Sequence, residues 1–436
     1  MLNMKIRPAN SLSGTINLPG DKSISHRAIL IASIAEGVSR IKNLSTGEDC
    51  SSTIRCMRQL GVEIEQDGTS AVVHGVGRSG FRKPDAPLDC GNSGTTMRLL
   101  AGVMAGQNFE SILTGDASLR KRPMKRIIEP LSKMGAVIGS DDGHAPLSIF
   151  GKHPLTAIRY DVPVASAQVK SCVLLAGLRG DGETTVGEST ATRDHTELML
   201  RWFGADVEVL GESENATRIK VLGNSVLNGR DIEIPGDVSS SAFFLVAAAC
   251  LNGSVLEIRN VGMNPTRSGI IDQLKRFGAD IEISSIRNTE FEPSADQTIH
   301  GRTELIRKTD TNLICGLEIA RIIDELPILA ILGTQVTGGL EVRDAGELRI
   351  KESDRIMAIV ENLKRMGAEI AEFDDGFKIE RSRLTGAKVD SFGDHRIAMA
   401  FSVAGLLADG ETEIIGAECA DVSFPRFFET LRSVVT

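Results

Sequence analysis

The sequence predicts an α/β protein of two globular halves, each made of three β-α-β-α-β-β units. Three observations carry that prediction. The first is a phrase in which an amphipathic helix ends on glycine and an alternating strand follows: MRQLGVEIE near Gly61, LSKMGAVIG near Gly135, LRWFGADVEV near Gly204, LKRFGADIEI near Gly278 and LKRMGAEIAE near Gly367. The second is an interleaved phrase of small polar residues, a nearly all-apolar helix and a glycine, returning six times from DKSISHRAILIASIAEG to GDHRIAMAFSVAGLLADG. The third is an internal copy: PGDVSSSAFFLVAAA at 235–249 repeats PGDKSISHRAILIAS at 19–33, which places a half boundary near residue 235.

Each element has a local reason. Glycine at the end of a helix suits the left-handed C-cap, and the alternation after it suits a half-exposed strand. The C-terminal FFETLRSVV would be a sixth surface helix, cut short by the chain end. A helix that is apolar all round must be buried on every side, so the six apolar segments are expected in the core.

Taken in order, the mouths of those buried helices gather charge. In the opening stretch a Pro19-Gly20 turn leads to Asp21 and Ser23 as cap candidates, with Lys22 and Arg27 in or just before the first turn. The second unit offers Asn92-Ser93-Gly94-Thr95-Thr96, then Arg120, Lys121 and Arg122 before Pro123, a residue favoured at the first helical position. The third has Ser166, Ala167, Gln168 and Lys170, then Arg193-Asp194-His195. The fourth has lost its cations, with Val238 where Lys22 stands and Phe243 where Arg27 stands. The fifth sets Asp324, a cap candidate, before ELPILA, and then Arg349, Lys351, Glu352 and Arg355; the sixth opens with Asp394-His395-Arg396. Polar stretches at 210–230 and 285–312 read as excursions within units rather than linkers.

A helix N-terminus already carries partial positive charge, so cations there cost free energy unless an anion sits among them. Recurrence of that placement in both halves of a chain of net charge −9 points to a ligand with more than one negative group. Arginine suits a bidentate grip on carboxylate or phosphate and lysine a point contact. Asp324 and Glu352, carboxylates among cations, are suited to proton transfer.

Other classes fit poorly. Net acidity, one Trp and one Tyr argue against nucleic acid or an anionic membrane as partner. There is no apolar leader, no long apolar run, no P-loop, no GxGxxG after an opening strand, no HExxH and no Cys/His ligand spacing, so neither membrane nor metal is expected. Seven cysteines without a CxxC pair read as the reduced thiols of a cytoplasmic protein. A non-catalytic anion-binding protein is the alternative class, disfavoured because Asp324 and Glu352 would weaken simple anion binding.

Through LPGDKSISHRA, GNSGTTMRLL, KRPMKRIIEPL, SAQVKS, DELP, KESDR and GDHRIAMAF, in that order over essentially the whole chain, the sequence resembles the enolpyruvyl transferase family. The resemblance implies an inside-out α/β barrel fold in two domains, 1–19 plus 235–436 and 20–234, with the active site in the cleft between them. It implies transfer of the enolpyruvyl group of phosphoenolpyruvate to the 5-hydroxyl of shikimate 3-phosphate, with no metal or cofactor, by a cytoplasmic monomer. Lys22, Gly94, Arg122, Gln168, Arg355 and Arg396 would contact phosphoenolpyruvate; Ser23, Arg27, Ser166, Ala167, Gln168, Asp324 and Lys351 would contact shikimate 3-phosphate. Asp324 would take the hydroxyl proton, Glu352 would protonate the methylene carbon, and Lys22 with the arginines would stabilise developing charge. The sequence departs from one branch of the family at Val422, where a lysine stands, at Ala167, where a serine stands, and at Arg193 in TRDHTE, which offers a replacement contact. The sister reaction on a UDP-amino sugar goes with a reactive cysteine before an Arg-Pro step, and TGDASLRKRP has none.

Overall fold

Six sheets repeat one plan in the computed structural model, which describes residues 3–78, 80–211, 216–289, 291–306 and 311–436. In the second unit Leu88–Asp89 runs parallel to Glu110–Thr114, which pairs antiparallel with His144–Phe150, itself antiparallel to Val137–Asp141. Arg159–Val162, Glu183–Glu188, Thr217–Leu222 and Val207–Gly211 follow the same order, as do Leu313–Ile314, Leu340–Val342, Gly376–Ile379 and Ile370–Phe373. The opening strands of the two halves are exchanged: Ser13–Asn17 lies parallel to Val255–Gly262, while Ile232–Glu233 lies parallel to Glu36–Lys42. In the sixth unit Lys388–Asp390 runs parallel to Thr412–Ile415, which pairs antiparallel with Met4–Ile6, the position a third strand takes elsewhere.

Two units result. One comprises Met1–Pro19, Pro235–Thr289 and Pro293–Thr436, the other Gly20–Ile234 and Glu290–Glu292. The short run around Phe291 therefore departs from the expected 235–436 domain. The reason is local: Phe291 is buried in the core of the 20–234 unit, and Glu292 bonds His195 there. Of the expected excursions, 212–215 and 307–310 lie outside the described residues.

Each unit has three buried helices, Lys22–Ile34, Gly94–Ala105 and Ala167–Gly177 in one, Val238–Cys250, Leu326–Gly333 and His395–Leu407 in the other. All eight residues of Leu326–Gly333 are buried. Burying a Leu or Ile side chain contributes roughly 1.5–3 kcal/mol, so these apolar segments have no stable place at a surface. No described helix is long and apolar enough to cross a membrane.

The five phrase-ending glycines all have positive φ: Gly61 90°, Gly135 98°, Gly204 100°, Gly278 87° and Gly367 81°. After each, the next residue's N–H reaches back to the helix, as Ala205 does to the Leu200 carbonyl at 2.8 Å, which closes a Schellman cap. A Cβ added at Gly204 would meet nothing nearer than 3.6 Å, so a side chain there fits but the backbone angle does not. Gly204→Ala is expected to cost about 1–2 kcal/mol and lower the Tm by a few degrees in thermal unfolding, with catalytic constants unchanged.

Caps differ from expectation at three places. Asp21 caps the first helix, its Oδ1 accepting from the Ile24 N–H at 2.9 Å, and Ser23 lies inside the helix. Pro123 does not open a helix: Leu119–Lys121 is a 3₁₀ turn and the helix is Lys125–Lys133, with Met124 at its N-cap and the Met124 N–H donating to the Gly143 carbonyl at 2.8 Å. Asp324 is not a cap; Glu325 holds that position without a side-chain cap bond, and the Asp324 carboxylate is engaged by cations instead.

Candidate active site

In the unit holding residues 235–436, two helix starts meet around one carboxylate. Asp354 caps Arg355–Arg365, its side chain accepting from Met357 N, and Asp394 caps His395–Leu407, accepting from Arg396 N. Arg355 and Arg396 therefore sit in first helical turns, where their charge needs anions. Buried Arg355 donates from Nε to Asp394 Oδ2 at 2.7 Å and from Nη2 to Glu352 Oε2 at 2.7 Å, with Nη1 3.4 Å from Asp324 Oδ1. Burial alone would push the guanidinium down; Asp394, Glu352 and Asp324 together hold it above its ordinary value. Asp324 also lies 3.8 Å from Lys351 Nζ and 3.7 Å from Arg396 Nη2. Arg396 Nη1 donates to the Asp324 carbonyl at 2.9 Å. Asp324, Lys351, Arg355 and Arg396 thus form one cluster, which half-buried Glu352 joins through Arg355. Arg349 stands behind it, gripping Asp354, Glu372 and two carbonyls so that the loop carrying Lys351 and Glu352 is anchored from its far side.

In the unit holding residues 20–234, the corresponding feature is a glycine crowded by guanidinium groups. A Cβ on Gly94 would come 2.8 Å from Arg98 Nη1 and 3.5 Å from Arg122 Nη1. Arg98 Nη1 donates to Gln168 Oε1 at 2.5 Å, Gln168 Nε2 to Thr95 Oγ1 at 2.8 Å, and Arg122 Nη2 to Asn92 Oδ1 at 2.5 Å. Two forked cations at a helix start whose first residue has no side chain suit a phosphate or carboxylate. Lys22 Nζ pairs with Asp49 Oδ2 at 3.1 Å, and the Asp49 carbonyl lies 3.4 Å from Thr96 Oγ1 in the Gly94 helix. A buried run of side chains ties the same elements: His26 Nδ1 to Thr53 Oγ1 at 2.7 Å, Thr53 to Thr96 at 2.7 Å, Thr96 to Ser93 at 2.9 Å. Burial, with Lys22 and Arg27 nearby, holds His26 well below its ordinary pKa, so the imidazole is a neutral packing element.

Arg27 is buried, donating to Thr196 Oγ1 at 2.7 Å, Ser171 Oγ at 2.9 Å and the Ser23 carbonyl at 2.9 Å. Burial lowers its pKa to about 10 against the pull of Glu197. Ser166 caps Ala167–Gly177 through Val169 N, so Ala167 opens that helix. Lys170 is no part of a polar mouth: it is buried, 2.8 Å from both Glu188 and Glu197. His195 is likewise committed, its Nδ1 2.6 Å from Glu292 Oε1.

The chain matches the family model for EPSP synthase (3-phosphoshikimate 1-carboxyvinyltransferase) over residues 6–431. The 3-phosphoshikimate 1-carboxyvinyltransferase of Bacillus cytotoxicus is 48% identical, covering 98% of this chain and 99% of its own, and that of Geobacter sp. strain M21 is 49% identical with both chains covered in full. The chain belongs to the EPSP synthase family. A solved EPSP synthase from Acinetobacter baumannii superposes with a TM-score of 0.87 at 43% identity, covering 99% of this chain and 98% of that one. The enolpyruvyl transferase NikO from Streptomyces tendae shares the fold, with a TM-score of 0.79 at 19% identity.

Within this EPSP synthase family member, sequence reasoning missed Arg98 and Asp49. Arg98 stands four residues after Gly94 on one helix, so the two share a face, and that spacing was the available signal. Asp49 lies 27 residues from Lys22, a pairing that no local spacing announces.

Proposed function

We infer that this chain is an enzyme, 3-phosphoshikimate 1-carboxyvinyltransferase (EC 2.5.1.19), which transfers the enolpyruvyl group of phosphoenolpyruvate to the 5-hydroxyl of shikimate 3-phosphate and releases phosphate. The observation that carries the reading furthest is the Asp324 carboxylate faced by Lys351, Arg355 and Arg396, in a chain matched along its length to that family. Asp324 takes the proton as the 5-hydroxyl attacks, and Glu352 delivers one to the methylene carbon. Lys22, Arg122, Arg355 and Arg396 offset the charge that develops, and loss of phosphate together with one proton from the methyl group so formed then restores the double bond. Lys22, Gly94, Arg122, Gln168, Arg355 and Arg396 serve phosphoenolpyruvate. Ser23, Arg27, Ser166, Ala167, Gln168, Asp324 and Lys351 serve shikimate 3-phosphate. In this reading the two clusters, one on each unit, act on a single pair of substrates.

The reading includes a monomer working in the cytoplasm, and seven free cysteines suit a reducing compartment. Phosphate release is the test: turnover with phosphoenolpyruvate plus shikimate 3-phosphate and none with UDP-N-acetylglucosamine is expected, and the reverse would overturn the reading.

Gly94 gives a second measurable result. Glyphosate is expected to compete with phosphoenolpyruvate, and Gly94→Ala to weaken that inhibition by about tenfold or more while raising KM for phosphoenolpyruvate less, because the new methyl enters the space beside Arg98 and Arg122. Inhibition constants for the two proteins decide it; equal constants would remove Gly94 from the site.

A further inference from the structure

We propose that Glu325 is a positioning residue for phosphoenolpyruvate, its buried carboxylate locked by Ser239 and Arg267 so that it holds the Arg396 guanidinium in place. This rests on the reading of the function above. The argument begins with the internal copy. Ser239 stands in PGDVS where Ser23 stands in PGDKS. Ser23 and Lys22 are half-buried, whereas Ser239 is buried and already has an anion: its hydroxyl donates to Glu325 Oε1. Arg267 Nη2 lies 2.5 Å from Ser239 Oγ, and Arg267 Nη1 lies 3.7 Å from Glu325 Oε1. Arg267 and Glu325 are only 2% and 1% exposed, so neither group turns to water. The mouth that lost its cations in the duplicated half is filled by an internal ion pair.

That pair has a cost. Two buried charges are seldom more stabilising than apolar side chains of the same volume, so stability alone is a weak reason for keeping them. What lies beside the pair supplies a better one. Arg396 Nη1 is 3.9 Å from Glu325 Oε1 while donating to the carbonyl of Asp324 at 2.9 Å, and Arg396 Nη2 is 3.7 Å from Asp324 Oδ2. Consecutive residues therefore grip one guanidinium. Asp324 does so with a carboxylate that also faces Lys351 and Arg355, and Glu325 with one that has no route to solvent. At short range in a poorly screened interior, a fixed carboxylate restricts where a neighbouring arginine points. The effect on substrate passes through Arg396.

Steady-state kinetics on the full-length enzyme test this with two variants. Glu325→Gln keeps the shape and the bond to Ser239 but removes the charge. It also leaves Arg267 with less compensation, so a second protein carrying Arg267→Met with Glu325→Gln removes both charges at once. In both, KM for phosphoenolpyruvate is expected to rise about tenfold and kcat, to which Arg396 contributes, to fall by no more than that, while KM for shikimate 3-phosphate stays within about twofold, so that the loss is confined to one substrate. The double variant is expected to recover the thermal stability that the single variant loses. Return of KM for phosphoenolpyruvate to the unaltered value in the double variant would show that Glu325 only neutralises Arg267. A parallel rise of both KM values with a fall in kcat would show a general disturbance; either result overturns the proposal. The unaltered enzyme run alongside reports on the reaction itself, so a failure of the functional reading is seen separately.

Discussion

Asp324→Asn is expected to lower kcat for phosphate release by about 10³, with both KM values within a few-fold, because a positioned proton acceptor contributes roughly 10²–10⁴ to rate. The asparagine keeps the size of the side chain and an oxygen for Lys351, Arg355 or Arg396 to face. What it loses is the ability to take a proton from the attacking hydroxyl. A thousandfold fall corresponds to about 4 kcal/mol of barrier; because Asp324 is buried, at 9% exposure, the loosening of its ion pairs is read separately, as a lower Tm. Asp324 is held by neighbours of two different kinds. Its backbone is fixed by the Arg396 bond to its carbonyl, and its carboxylate is centred by cations on separate loops and helices at 3.4–3.8 Å. A decrease of less than tenfold, measured with both substrates saturating, would move proton acceptance to another group.

The repeat was legible because its physics is local. A helix must stop, glycine tolerates the backbone angle of the stop, and so Gly61, Gly135, Gly204, Gly278 and Gly367 announce five strand starts without reference to the rest of the chain. The buried helices were legible for a similar reason: a segment such as LPILAILG has no polar face to leave outside. What was not legible is pairing across distance. Met4–Ile6 carries no local mark of its partner: the resemblance grouped 1–19 with 235–436, and the register Met4 with Ile414 shows which sheet the strand joins. Glu292 gives no sign in sequence that it will meet His195, 97 residues earlier, and so draw Phe291 into the other unit's core. In the candidate site, charge at helix starts pointed to Lys22, Arg355 and Arg396, which lie in first helical turns, and the helix expected at Pro123 pointed to Arg122, which lies ahead of Lys125–Lys133 instead. The same rule singled out Lys170, which is buried between two internal anions, Glu188 and Glu197. Whether the compensating anion belongs to the protein or to a ligand is a tertiary fact.

Arg355→Met is expected to destabilise its unit by about 3–5 kcal/mol and to abolish measurable turnover, because removing one partner of a buried ion cluster leaves the others uncompensated. Three carboxylates depend on this guanidinium, and Asp394, at 0% exposure, has no water to turn to. Asp394 accepts from Arg355 Nε and also from Arg396 N at 2.8 Å, so its displacement would unseat the first turn of His395–Leu407 and with it the Arg396 side chain. Stability and site chemistry therefore fail together here, unlike at Asp324, where the fold is expected to survive. Arg355→Lys separates the two effects. An ammonium preserves the charge but lacks the planar fork that reaches Asp394 and Glu352 at once, so roughly half the stability loss is expected with turnover still down by about 10². Urea unfolding followed by circular dichroism, read beside kcat for both variants, checks this. If Arg355→Lys matched the unaltered protein in midpoint and turnover, net charge rather than the fork would be what this position requires.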